Sequence, residues 1–200
     1  MRIGVDIDEV LTPFTEQYLP FFNKRHKLRL KVSDFVSYEF HEIADVPLPE
    51  CVETCRLFAE QGGILALKPY PEARRALEEI KAKGHELFIV SGRHKFSRKD
   101  TKTWLDEHFC GIFSELLFMT FRNFDGDSTT KADLCLRHDI TILIDDDPHY
   151  AAQCRDAGVE LIMPLQHWNK EFKAGRGVHK AKDWNQVADV VATIAKKNKK

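Results

Sequence analysis

The sequence predicts an α/β fold: a doubly wound parallel sheet with a small helical cap inserted after its first strand. Three observations predict it. From residue 69 onward, short apolar runs alternate with helix-period segments, the pattern of a parallel sheet covered by helices. Two of the apolar runs end in clustered acids, Asp6 and Asp8 after residues 3–5, and Asp145, Asp146 and Asp147 after residues 140–144. Between Asp8 and Pro71 lies a strandless stretch of roughly sixty residues, too long for a plain loop.

Each element follows in order. Residues 3–5 form the first strand, broken soon after by Thr12-Pro13. Helical periodicity then marks residues 14–25, 33–44 and 49–61, the last stopped by Gly62-Gly63. These place a cap at residues 16–67 and the core at 1–15 and 68–200. Residues 71–83 are a helix with Pro near its start and Gly84 as its stop. Residues 87–90 are a buried strand ending at Ser91-Gly92. Residues 97–108 are an amphipathic helix with Trp104 and Leu105 facing inward. A strand at 115–119 precedes a helix at 130–137, capped by Ser128 or Thr129. The strand at 140–144 leads to a helix at 150–157 with Gly158 at its stop, and then to a strand at 160–163. A helix at 183–196, with Asp183 as its cap, closes the pattern.

Composition narrows the function. With 200 residues, 43% of them hydrophobic, the chain builds one proper core or a core with an insertion. A net charge of −1 gives no global field for a nucleic-acid polymer or a membrane, and the basic run 196–200 reads as a solvated tail. No stretch approaches the ~18 apolar residues of a membrane span, and the first residues enter a strand without a signal-peptide h-region. Five cysteines at uneven spacings give no disulfide framework. Cys51 and Cys55 lie one helical turn apart, but no second ligand pair accompanies them. All five read as reduced thiols of a cytoplasmic protein.

The candidate chemistry collects at strand ends. Acids delivered by a buried strand are costly unless a cation meets them, and in open α/β sheets ligands bind at the carboxyl ends of strands. Asp6 and Asp8 sit at one such end and Asp145 and Asp146 at another. Ser91 offers a hydroxyl and the flexible Gly92 a backbone N–H for an anion. Lys131 brings a positive charge to the first turn of a helix, where the helix dipole also favours anions. The oxygen-only acids suit Mg²⁺, which keeps waters and a substrate phosphate in its shell.

Phosphoryl transfer requires such a set, because a carboxylate approaching a phosphate dianion meets repulsion of ~4 kcal/mol per charge pair at 4 Å with a dielectric near 20. Mg²⁺ and Lys131 would cancel it. Asp6 then attacks in line, and Asp8, on the same side of an extended chain, protonates the leaving alkoxide and later deprotonates water.

Four segments, residues 3–12, residues 89–92, Lys131 and residues 142–146, resemble in order the four motifs of the haloacid dehalogenase superfamily. The resemblance implies a Rossmann-like sheet and Asp6 as nucleophile. It makes Asp8 the acid/base and a backbone-carbonyl metal ligand, and Ser91 and Lys131 the phosphate holders. Asp145 and Asp146 complete the Mg²⁺ site, with Asp146 favoured as direct ligand. Within that superfamily the chain is most similar to the 5'(3')-deoxyribonucleotidase family and its bacterial relatives, through residues 11–14, 84–93, 103–108, 144–146 and 167–169, with Asp183 and Trp184. That likeness puts Phe14 where the family has an aromatic near the base. Glu9 departs from the usual Gly, Pro13 from a common Asp, and Gly92 from a second hydroxyl.

The expected activity is therefore Mg²⁺-dependent phosphomonoester hydrolysis, with a nucleoside monophosphate as the favoured small-molecule partner. A phosphatase for another metabolite, such as a sugar phosphate, is the alternative. A phospho-receiver is disfavoured because the middle strand ends in Ser91, and a phosphate-binding module because both acids are intact. A metal glycosyltransferase would not carry its acids on the first strand. Asp147 reads as a turn residue before Pro148. Arg93 and His94 read equally as phosphate or cap contacts and as a solvated loop. Phe35, Tyr38 and Phe40 read as cap core, and Trp168 and Trp184 as packing. His41, His149 and His179 lack metal-ligand spacing. Glu9 must face away from its neighbours or raise the pKa of one of them.

Overall fold

The structure, a computed structural model, describes residues 1–37, 39–121 and 126–197. Six strands make one sheet: β1 (Arg2–Val5), β2 (Glu86–Ser91), β3 (Glu115–Phe118), β4 (Ile140–Ile144), β5 (Glu160–Pro164) and β6 (Val178–Ala181). Their order is β3-β2-β1-β4-β5-β6, and every neighbouring pair is parallel. The chain leaves β1 for β2 on one side and later returns to β4 on the other. The crevice at that reversal, beyond the ends of β1 and β4, is where open α/β sheets bind ligands.

Both faces of the sheet are covered, which is why the inner strands read as apolar runs rather than alternating. Leu87 and Ile89 point to one layer, with Ile3, Val5, Ile142 and Ile144. Phe88 and Val90 point to the other, with Leu143, Leu161 and Met163. The first layer is closed by α5 (Ala73–Ala82), α6 (Arg98–His108) and α9 (Trp184–Lys197), the second by α7 (Lys131–Arg137) and α8 (Tyr150–Asp156). At the centre of β1, a Cβ on Gly4 would lie 2.8 Å from Val90 Cγ2 and 3.1 Å from Leu143 Cδ1, so the central strand passes its neighbours with no side chain to spare.

The segment expected as a cap carries α1 (Phe14–His26), α2 (Phe40–Ala44), α3 (Leu48–Glu60) and α4 (Gly63–Ala66). Tyr18, Phe22, Phe58 and Ile64 from it join the same apolar cluster as Ile3 and Val5. Phe35 and Phe40 meet at 4.7 Å, and Phe40 lies 5.1 Å from Tyr18, so both rings belong to this packing. Tyr38 lies outside the described residues.

Several expectations are corrected. Residues 33–44 do not form one helix: a 3₁₀ turn at Val32–Asp34 is closed by the Asp34 carboxylate accepting from Lys31 N–H at 2.8 Å, and Phe35 is extended. Gly62, at φ 79°, stops α3, but the chain restarts at once as the one-turn α4. The cap of α7 is Thr130, whose hydroxyl accepts from Asp133 N–H at 3.0 Å. Thr129 is spent elsewhere, paired with Thr120 through backbone and hydroxyl. Strand β6 was not anticipated; at four residues, with His179 and Lys180 in its middle, it gives no apolar run. Asp183 caps α9 as expected, accepting from Gln186 N–H at 2.8 Å. Among the described residues no helix is long and apolar enough to cross a membrane, and all five cysteines are free.

Candidate active site

The tip of β1 is pinned to β4 by Asp6 N–H donating to Ile144 O at 2.9 Å, and the tip of β4 to β5 by Asp145 N–H donating to Ile162 O at 3.0 Å. Three acids thereby converge: Asp6, Asp145 and Asp146 each offer a carboxylate oxygen, all within 4.8 Å of one another, and all three residues are buried. Lys131, in the first turn of α7, reaches in between. Its Nζ lies 2.8 Å from Asp6 Oδ2 and 2.6 Å from Asp145 Oδ2, and 4.8 Å from the centre of the Tyr150 ring.

Burial and crowding act on these groups together. Burial, first, pushes the Asp6 carboxyl up to about 7; Lys131 opposes the rise, and Asp145 and Asp8 add to it. Burial, then Asp145 and Asp6, hold Asp146 well above the usual carboxylate range. Burial alone would lower the Lys131 ammonium, but Asp145 and Asp6 outweigh it and keep it charged. With all three carboxylates ionised, the one ammonium would leave two negative charges unmatched in a low-dielectric site, which is why burial and crowding favour their protonation. An oxygen-only donor set with that deficit fits a hard divalent cation such as Mg²⁺.

Asp8 is held differently. The Arg93 guanidinium donates to it through Nε (3.0 Å to Oδ2) and Nη2 (2.7 Å to Oδ1). The chain between Asp8 and Thr12 is a tight loop, with the N–H groups of Val10, Leu11 and Thr12 all directed to Ile7 O. Glu9 takes φ 59° in it, a left-handed conformation that costs a non-glycine residue roughly 1 kcal/mol or more. Its carboxylate accepts from Thr15 N–H at the start of α1, and its carbonyl from Gln166 Nε2 at 2.8 Å. Glu9 is thereby tied to the start of α1, and its own carboxyl is pushed up to about 7, mainly by burial.

A cavity of about 410 Å³ opens over the acids, a volume suited to a small ligand. Asp6, Asp8, Lys131, Asp145 and Asp146 line it, together with the apolar Phe14, Phe40, Leu48, Val52 and Ile64. Of the residues singled out in the sequence, Asp6, Asp8, Phe14, Gly92, Lys131, Asp145 and Asp146 all meet here. Ser91 does not wall the cavity; it is fully buried, its hydroxyl accepting from Arg93 N–H at 3.2 Å. Asp147 is a turn residue as expected, accepting from His149 N–H at 2.9 Å.

Other contacts were missed. Trp168 is not merely packing, since its indole N–H donates to Asp146 Oδ2 at 2.9 Å. Asn169 Nδ2 donates to Asp146 O and to Pro164 O, at 2.7 Å each, tying the β5 loop to the β4 tip. The Trp168-Asn169 pair was visible as part of the family likeness, but its partner lies more than twenty positions away in sequence. Trp184 is buried and donates to Val10 O at 3.2 Å, in keeping with packing.

Comparisons with known proteins bear on the family and the fold. The family described as 5' nucleotidase, deoxy (pyrimidine), cytosolic type C protein matches residues 1–198. A Bacillus cereus protein provisionally named a nucleotidase is 25% identical over 121 residues, covering 59% of this chain and 64% of that protein. Among solved structures, a predicted phosphatase from Clostridium acetobutylicum has a TM-score of 0.74 at 14% identity, covering 96% of this chain and 98% of that one. A haloacid dehalogenase-like hydrolase from Streptococcus pneumoniae has a TM-score of 0.70 at 14% identity, covering 96% and 97%. These two structures share the fold.

Proposed function

Because the chain belongs to the family of the cytosolic type C 5' nucleotidase, deoxy (pyrimidine), proteins, within the haloacid dehalogenase-like phosphatases, we propose that it hydrolyses nucleoside monophosphates at the tip of β1. The observation that carries this reading is the meeting of Asp6, Lys131, Asp145 and Asp146 at a cavity whose lining includes two aromatic rings. Phe14 and Phe40 offer a planar base a surface to pack on. In this reading residues 16–67 are the cap that carries most of the apolar lining.

Asp6 attacks phosphorus, the bond from phosphorus to the leaving oxygen breaks, and its electron pair departs with that oxygen, which takes a proton from Asp8. In the second half Asp8 removes a proton from water, the water oxygen attacks phosphorus, and the bond to Asp6 breaks. Carboxylate and inorganic phosphate are returned. Lys131, anchored by Asp145, sets a fixed positive charge beside the nucleophile and the phosphoryl oxygens. Gly92, on the cavity wall, offers backbone to the anion, and Ser91 supports the turn from behind.

The residues fitted to Mg²⁺ are Asp6, the Asp8 carbonyl and Asp146. Asp145 already gives one oxygen to Lys131 and the other to Asp147 N–H, at 3.1 Å, which makes Asp146 the better direct ligand. When bound, the ion neutralises charge on the phosphoryl oxygens. The five free thiols suit a reducing, cytoplasmic setting.

The test is phosphate release from a panel of nucleoside monophosphates and sugar phosphates, with and without Mg²⁺. Nucleotides should be the better substrates, activity should require the metal, and Asp6→Asn should lose at least about 10⁴-fold. Full activity in that variant would remove Asp6 from the chemistry.

A further inference from the structure

Arg93 follows the turn after β2, and its guanidinium is buried: the side chain is 4% exposed, against 30% for Asp8. Hydrogen bonds and a ring contact fix it. Nε and Nη2 grip both Asp8 oxygens, Nη1 donates to Thr101 Oγ1 at 3.0 Å, and the guanidinium carbon lies 5.9 Å from the Trp104 ring centre. Thr101 and Trp104 are themselves fully buried on α6, and the Trp104 indole N–H is anchored on Leu67 O at 2.7 Å. Both residues line the cavity, but Asp8 is the more exposed of the two, and Thr101 and Trp104 back the guanidinium.

That arrangement answers a mechanical problem. Asp8 lies in an irregular turn beyond the end of β1, where a short side chain has several rotamers open to it. A group that must serve first the leaving oxygen and then water cannot wander between them. A bidentate guanidinium fixes the plane of a carboxylate as well as its position, which a lysine cannot do. We propose that Arg93 is a positioning residue that orients Asp8 for proton transfer, with Thr101 and Trp104 as its mounting. The proposal rests on the phosphomonoesterase reading, and it assigns Arg93 no contact with the substrate.

The test compares wild type, Arg93→Lys and Thr101→Val on two esters. A nucleoside monophosphate has an alkoxide leaving group that needs a proton; p-nitrophenyl phosphate has a phenolate that leaves without one. In Arg93→Lys, kcat on the nucleotide should fall about 10²-fold. On the aryl ester, nitrophenol should appear in a burst of about one equivalent per enzyme before slow turnover, because only the second half-reaction then needs Asp8. The inhibition constant for inorganic phosphate should stay within about twofold. Thr101→Val, which keeps both charges and loses one hydrogen bond, should show the same burst with a loss of roughly 3–10-fold.

Equal losses on both esters with no burst would mean that Arg93 only supports the fold, and would overturn the proposal. Phosphate inhibition weakened by more than about tenfold would make Arg93 a phosphate ligand, and would overturn it equally. Failure of the wild type to release phosphate from either ester is a distinct result, and defeats the underlying phosphatase reading instead.

Discussion

Asp6 and Asp8 stand two residues apart at the end of one strand, yet they meet opposite surroundings. Asp6 shares a single ammonium with Asp145 and crowds against Asp146, so its neighbourhood lacks positive charge. Asp8 has a whole guanidinium to itself. The first arrangement is unfavourable without a cation, and useful for that reason: it creates a place where a metal and a phosphate are welcome. The second is already satisfied and serves geometry. A strand that delivers two acids can therefore divide the work between a nucleophile kept short of countercharge and a proton carrier kept still.

Lys131→Met breaks the comparison most severely. It leaves three buried acids with no cation, and should destabilise the metal-free protein by about 3 kcal/mol or more, with part of the loss recovered on adding Mg²⁺. Urea unfolding in EDTA and in Mg²⁺ measures both.

Glu9, the third acid of the loop, sharpens it through pH. Its folded carboxyl sits near 7 against an ordinary 4.5, raised chiefly by burial, so the folded state binds this proton more tightly than the unfolded chain. The contribution is fully present below pH 4.5 and is lost as pH rises through about 7. Glu9→Gln keeps an oxygen for Thr15 N–H and removes the titration. Its stability in EDTA should match wild type at pH 4 and exceed it at pH 8, by up to about 3 kcal/mol. An unchanged difference between those two pH values would mean that Glu9 is not buried as described.

Asp146→Asn is the gentlest probe. It removes one of the crowded charges while leaving an oxygen for the Trp168 indole. The metal-free melting temperature should rise by roughly 2–4 °C, and the further rise on adding Mg²⁺ should disappear. A fall in the metal-free melting temperature would show that the acids do not repel one another there.

Much of this was legible in the sequence, and the pattern of success has a physical basis. β1, β2 and β4 are buried on both faces and are written as continuous apolar runs, so their carboxyl ends, and Asp6, Asp8, Lys131, Asp145 and Asp146 with them, could be placed. Strand β6 lies at the sheet edge with polar residues in it and left no such run. The role of Arg93 was open because nothing local says whether a cation after a strand turns outward or folds back onto a residue 85 positions earlier. The shared partner of Trp168 and Asn169 was hidden for the same reason. Glu9 was visible as an oddity, but only the backbone explains it: a left-handed position that glycine would fill without strain is held by a glutamate whose carboxylate caps α1.

The account's central claim is that Asp6 carries the phosphoryl group and Asp8 only moves protons. It is tested most directly in Asp8→Asn mixed with an activated aryl phosphate and Mg²⁺, quenched in acid and mapped by peptide mass. The account predicts one covalent phosphate per chain on Asp6. A phosphate on another residue, or sustained turnover with no covalent phosphate on the chain, would contradict it.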